Sequence, residues 1–259
     1  MSEVFAWRDA PRADFAVIGS PVDHSKSPAM HTAAYEGLNL PYRYVAIHVE
    51  EGEFNVAMDH LGVLGYIGVN VTVPHKHAAL AWSRNPDELA RTVGAANTLK
   101  LSGEATNTDV TGFADTIANF RIERALVLGA GGSARAVSLA LKQSGATVEI
   151  WNRTAIAAQE LADEFEIVSV QYADTKGYEL VVNATSASLK NESLPIRWSN
   201  GAGCVAYDLV YGDTPFLSEA RDRAFQTIDG SELLVAQGAR AFTWWTGLEA
   251  PVEAMRSAL

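Results

Sequence analysis

Residues 125–152, ALVLGAGGSARAVSLALKQSGATVEIWN, constrain the fold more than any other stretch. An apolar run stops at a cluster of glycines, gives way to a segment with helical spacing, and resumes as a second apolar run. Short apolar runs alternating with helix-period segments are the pattern of parallel sheets built from βαβ units. The same alternation fills the first half of the chain. FAVIG (15–19), YRYVAIHV (42–49) and YIGVNVTV (66–73) read as strands, and SPAMHTAAYEGL as a helix with Ser27 as its N-cap, Pro28 at its first position and Gly37 near its end. TLKLSGEAT (98–106) reads as a hairpin turning at Ser102 and Gly103. Further strands are expected at EIVSV, LVVNAT and VAYDLVY, and the last long helix at 232–245. The turn residues of NTDVTG put a boundary near 107–112. The expected fold is therefore α/β, with two open α/β domains.

Composition narrows the function class. A net charge of −11 argues against a nucleic-acid or anionic-membrane surface, both of which need basic patches. No run of about 18 apolar residues appears, and MSEVFAWRDAPRADF shows no apolar core of an export signal; with a single cysteine in the chain, the cytoplasm is the expected compartment. A single cysteine, Cys204, leaves no intramolecular disulfide and no cysteine-cluster metal site. All six histidines fall between His24 and His77, yet no H-E-x-x-H or comparable pair accompanies them, and no metal is expected.

GAGGSARA supplies G-x-G-x-x-A through Gly129, Gly131 and Ala134, with Ala130, Gly132 and Ser133 between and beside them. After a strand and at the start of a helix, such small residues let a pyrophosphate approach backbone N–H groups. The end of the next strand should then read the ribose. Glu149 falls inside that strand, and its tip is Asn152-Arg153-Thr154. A guanidinium there pairs with a 2′-phosphate, which favours NADP, with NAD as the alternative.

The first half places polar residues where open α/β sheets form ligand clefts. Ser25 and Ser27 of HSKSP stand at a helix start, where hydroxyls and backbone donors can hold a carboxylate. Thr72 and Lys76 flank Pro74 at a strand end, Asn97 opens a strand, and Asp109 stands at the domain boundary. A lysine beside an aspartate can hold a substrate hydroxyl and relay its proton. A free lysine has a pKa of about 10.4, so proton transfer near neutral pH requires burial, a neighbouring charge or coupling to hydride movement. Gln237 lies on an apolar stripe with Leu233, Leu234, Ala241 and Trp244, a place for an amide that faces a ligand.

In order along the chain, HSKSP, NVTVPHK, GAANT, NTD, GAGGSARA, NRT, VVNAT, YDLVY and LLVAQGA resemble the shikimate dehydrogenase family. The resemblance runs over nearly the whole chain. It implies NADPH-dependent reduction of 3-dehydroshikimate to shikimate, on the way to chorismate and the aromatic amino acids. It implies that Ser25 and Ser27 hold the carboxylate, that Lys76 and Asp109 are the catalytic pair, and that Thr72, Asn97, Tyr211 and Gln237 contact ring hydroxyls or carboxylate. It implies too that residues 129–134, 152–154, Thr185 and Gly230 contact the cofactor. The implied domains are a substrate-binding domain, 1–108 completed by 235–259, and a Rossmann-like NADP-binding domain, 109–234, with the final helix returning to the first and hydride passing across the cleft. The small molecule is the expected partner, and the chain is expected to be a monomer or homodimer.

The chain departs from the family pattern around the cofactor. Ala157 and Ala158 fill the stretch where a second basic residue often meets the 2′-phosphate. NATSASL carries Ser188 and Leu189 where the family has glycine and methionine, YGDTPFL is about two residues short after the tyrosine, and GSELL replaces the commoner G-x-G-M-L. The nearest alternative is a quinate dehydrogenase using NAD, against which Ser27 and Arg153 speak. A methylenetetrahydrofolate dehydrogenase would not need HSKSP. A ligand-binding paralogue without turnover would not need both Lys76 and Asp109.

Overall fold

In the computed structural model, residues 3–199 and 201–259 are described. The chain forms two compact units, residues 1–108 with 234–259, and residues 109–233.

The first unit begins with β1 (Val4–Ala6), β2 (Phe15–Gly19), α1 (Ser27–Gly37), β3 (Tyr44–His48), α2 (Phe54–Leu64) and β4 (Gly68–Val71). It continues through α3 (Lys76–Trp82), β5 (Asn85–Pro86), α4 (Glu88–Val93), β6 (Thr98–Lys100) and β7 (Glu104–Thr106). The sheet order is β1-β3-β2-β4-β6-β7-β5. Its central strands are parallel, with Phe15 opposite Tyr44 and Gly68. β6 then enters antiparallel to β4, with Thr98 opposite Asn70, and pairs with β7 as the expected hairpin.

Both faces of this sheet are covered, as a parallel sheet requires. Ile18, Ile47, Val69 and Leu99 pack on one side with Phe54, Met58 and Leu61 of α2. On the other, Phe15 and Tyr44 pack with Met30 and Tyr35 of α1 and with Phe242, Trp245 and Met255 from the end of the chain. Those last residues lie on α9 (Ser231–Thr246) and α10 (Val252–Ser257). The exposed end of α4 is capped by Asp87, whose carboxylate accepts from the Ala90 N–H at 2.8 Å.

The second unit holds most of α5 (Thr108–Ile117), then β8 (Arg124–Leu128), α6 (Gly132–Gln143), β9 (Thr147–Trp151), α7 (Ala155–Phe165) and β10 (Val168–Ser169). β11 (Leu180–Asn183), β12 (Val205–Asp208), α8 (Pro215–Arg221) and β13 (Gln226–Ile228) complete it. The order β10-β9-β8-β11-β12-β13 is parallel throughout. That is the doubly wound order whose direction reverses between its first and fourth strands, here β8 and β11. Among the described residues no helix is long and apolar enough to cross a membrane.

Two expectations shift. Lys26, not Ser27, is the cap residue of α1, and Ser27 is the first helical residue. The buried stripe of α9 runs through Val235, Gln237, Ala241, Phe242 and Trp245, because the Trp245 indole donates to the Leu99 carbonyl at 3.0 Å and turns that face inward. Leu234 and Trp244 sit at its margin.

His31 is wholly buried on α1, its ring stacked on Tyr44 with centroids 4.4 Å apart and planes 3° from parallel. Neither ring nitrogen meets a hydrogen-bond partner in bonding geometry. Burial pushes its pKa from 6.5 down to about 3, against the nearby Asn70 side chain, which raises it. The unfolded chain binds this proton below pH 6.5 and the folded chain does not until about 3, so stability falls as the pH drops through that window. The slope is at most about 1.4 kcal/mol per pH unit. His31→Phe, which keeps a stacking ring, should flatten the dependence of the urea midpoint on pH between these limits.

Candidate functional site

In the second unit, the strand ends at the reversal point form a cradle. Gly129 takes φ +115°, a left-handed conformation open to glycine, and its N–H bonds the Trp151 carbonyl at 2.7 Å. A side chain here would also meet the Ala184 carbonyl oxygen at 3.0 Å and the Thr185 Cγ2 at 3.3 Å. The loop after β11 therefore lies against the glycine turn after β8. Gly131 is the cap residue of α6, and no side chain caps that helix. A Cβ added at Gly131 would have nothing within 4 Å, so the helix start has clear space in front of it. Ala134 is fully buried, as close packing of helix on strand demands.

At the tip of β9, Asn152 donates from Nδ2 to the Thr154 carbonyl at 3.0 Å, and Arg153 and Thr154 are exposed. Thr154 is the cap residue of α7 and offers it no side-chain bond. Two helix starts without side-chain caps and an exposed guanidinium thus face solvent in this unit, a donor set suited to the phosphates of a dinucleotide. Glu149 is committed elsewhere: its carboxylate accepts from Arg124 and from the Tyr178 hydroxyl, both at 2.7 Å. On the far side, a Cβ at Gly230 would collide with the Leu209 carbonyl, so only glycine allows the turn after β13 to approach the loop after β12. Tyr211 lies half-buried in that loop.

The first unit collects polar residues where its central strands end. Thr72 follows the end of β4, and its N–H bonds the Ile18 carbonyl at 2.9 Å, while Val71 N–H bonds the Asn97 carbonyl at 2.8 Å. Lys76 opens α3 with only 8% of its surface exposed, and its carbonyl accepts from the Ala96 N–H at 2.9 Å. The flanking histidines diverge: His75 bonds the Val49 carbonyl at 2.7 Å and His77 the Gly94 carbonyl at 2.9 Å. Among the described residues no group of three His, Cys, Asp or Glu could hold a metal ion. Ser25, after β2, accepts the Ser27 N–H at 3.3 Å, so its hydroxyl sits at the start of α1. Gln237, 9% exposed, stands on α9 one residue before Gly238, whose added Cβ would strike Met30 of α1.

Asn97 anchors a buried network that sequence reading did not find. Its Oδ1 accepts from the Thr108 N–H at 2.8 Å and its Nδ2 donates to the Thr108 hydroxyl at 3.1 Å. The Thr98 hydroxyl lies 3.2 Å from that of Thr108 and accepts from Asn70 Nδ2 at 3.1 Å, while Asn70 Oδ1 accepts from the Tyr44 hydroxyl at 2.8 Å. Thr108 precedes Asp109, itself 9% exposed, so the network fixes the start of α5. The signal available was Asn70, a polar residue in an otherwise apolar strand.

Three family descriptions match in order: "Shikimate dehydrogenase substrate binding domain" over residues 17–99, "Shikimate / quinate 5-dehydrogenase" over 113–190, and "Shikimate 5'-dehydrogenase C-terminal domain" over 230–259. A protein of Nitrosopumilus maritimus named shikimate dehydrogenase (NADP(+)) is 37% identical, with 95% of this chain and 97% of the relative covered. The chain belongs to the shikimate dehydrogenase family. Among solved structures, the shikimate 5-dehydrogenase of Thermus thermophilus in complex with NADP(H) and shikimate superposes with a TM-score of 0.86 at 37% identity, covering 95% of this chain and 98% of that one. The quinate dehydrogenase of Corynebacterium glutamicum in complex with NAD gives 0.80 at 28%, with 95% and 98% covered.

Thr98→Val should remove the hydroxyl shared by Asn70 and Thr108 and leave a buried amide short of a partner. A loss of about 1–3 kcal/mol in unfolding free energy is expected from denaturant titration.

Proposed function

We propose that the protein catalyses reversible NADPH-dependent reduction of 3-dehydroshikimate to shikimate, the step toward chorismate and the aromatic amino acids, in the cytoplasm, as a monomer or homodimer. The observation that carries this reading is Lys76, a lysine buried to 8% exposure at the end of the central strand β4, where Thr72 and Asn97 also stand. It belongs to a chain 37% identical to a relative whose structure holds NADP(H) and shikimate.

NADPH, when bound, supplies the hydride that the ketone carbon accepts. The chain's own groups hold the substrate and manage the proton. Ser25 and Ser27 receive the carboxylate at the start of α1, with Thr72, Asn97, Tyr211 and Gln237 meeting the ring hydroxyls or carboxylate. Lys76 donates the proton that the ketone oxygen gains as it becomes a hydroxyl, and Asp109 orients that oxygen. Burial of Lys76 removes competing water and strengthens its hold on the developing negative charge. The N-terminus of α6, residues 131–134, receives the pyrophosphate, and Asn152, Arg153 and Thr154 receive the 2′-phosphate. Thr185 and Gly230 line the nicotinamide side.

Following reduced-nicotinamide absorbance with shikimate and quinate, each against NADP and NAD, should give the highest kcat/KM for shikimate with NADP. Activity with quinate and NAD alone would overturn the assignment. Lys76→Ala should lower kcat by about 10²–10⁴ while shikimate binding stays within a few-fold. Arg153 is the cation of the Asn152-Arg153-Thr154 tip, so Arg153→Ala should cut the preference for NADP over NAD by about tenfold or more, read as the ratio of the two kcat/KM values.

A further inference from the structure

The loops after β11 and β12 are tied together by one buried carboxylate. Asp208, at the end of β12, has no exposed surface. Its Oδ2 accepts from the hydroxyls of Ser188 at 2.6 Å and Thr214 at 2.8 Å and from Asn183 Nδ2 at 3.1 Å, and its Oδ1 accepts from the Val210 N–H at 3.0 Å. Burial pushes the carboxyl pKa up, and these four bonds oppose that shift.

Each donor leads to a different piece of backbone. Thr214 Oγ1 accepts from the Leu217 N–H at 3.2 Å and so caps α8. Asn183 Oδ1 accepts from Thr185 through its N–H at 3.1 Å and its hydroxyl at 2.7 Å, and Thr185 Oγ1 accepts from the Ala187 N–H at 3.2 Å. Ser188 belongs to a 3₁₀ turn, Ser188–Lys190, and besides donating to Asp208 it accepts from Asn183 Nδ2 at 2.9 Å. It therefore closes the 184–187 turn at its far end, while Asn183 holds the near end. This turn carries the atoms that stand against Gly129. In a doubly wound sheet, the strands beyond the reversal point serve the second mononucleotide half of a dinucleotide.

We propose that Ser188, acting through Asp208, is a positioning residue for the nicotinamide half of the cofactor: it holds the Thr185 turn at the height over Gly129 at which that half is received. The hydroxyl is a feature of this chain, since Ser188 stands where the family pattern has glycine. The inference rests on the NADP reading given above.

The test is a fluorescence titration of the full-length protein, without substrate, using NADPH and separately adenosine 2′,5′-bisphosphate, which contains only the adenosine half. Ser188→Ala should weaken NADPH by about tenfold, one charge-assisted hydrogen bond's worth of placement, and leave the bisphosphate within about twofold. KM for NADPH should rise in step while kcat at saturation changes by less than about threefold, and Ser188→Thr, which restores a hydroxyl, should recover most of the loss. Unchanged NADPH binding in Ser188→Ala overturns the inference, as does equal weakening of both ligands, which marks a general loosening of the unit. A Ser188→Thr variant as weak as Ser188→Ala also counts against it. Wild-type protein that neither binds NADPH nor turns over shikimate would bring down the functional reading itself, whereas a sound wild type with an indifferent Ser188→Ala removes only the role of Ser188.

Discussion

A parallel sheet buries both of its faces, and that constraint places the polar chemistry at its strand ends. FAVIG and LVVN, the cores of β2 and β11, have every residue buried, and in neither does a side chain reach solvent from the middle of the strand. Polar groups are admitted where backbone pairing ends: Thr72 after β4, Asn97 before β6, Thr185 after β11, Arg153 after β9. Asn70 and Asp208 lie within the last two residues of β4 and β12 and are supplied with hydrogen-bond partners, as buried polar groups must be.

The same constraint explains what the sequence made legible. Long central strands announce themselves as unbroken apolar runs, and the helix starts at α1 and α6 follow from Pro28 and from the glycine cluster. The edge strands β1 and β5 do not, because two or three residues carry no period to detect, whereas β10 lies inside the expected strand EIVSV and is shorter than it. Helical spacing fixes the stripe of α9 only to within part of a turn, which leaves Leu234 and Trp244 one residue from its buried line. The indole bond from Trp245 to Leu99, across 146 residues, decides the rotation, and no local pattern contains it. The Asn70–Thr98–Thr108 network escaped for the same reason: its members are unremarkable turn and strand residues until β4, β6 and the start of α5 are brought together.

Charge placement around the ribose position was legible in part. Glu149 lies about the right distance from the glycines to suggest a ribose ligand. Strand geometry turns it to Arg124 and Tyr178, which also pins the base of β9 to the segment before β11. What stands at the strand tip is Arg153, in a chain whose net charge is −11. On an acidic protein a guanidinium attracts an anion locally against a repulsive background, so phosphate recognition there depends on close hydrogen bonding more than on long-range steering.

Both sheets end in short strands: β1 and β5 flank one, β10 and β13 the other, and none exceeds three residues. One of them, β5, carries Pro86, which has no N–H to offer. An outer strand of this length shows a newcomer only a few unpaired backbone groups, too few to template the addition of another chain. The long, strongly β-forming segments that could seed fibrillar stacking are held in the interior of each sheet, so resistance to aggregation is built into the strand order itself rather than left to surface charge.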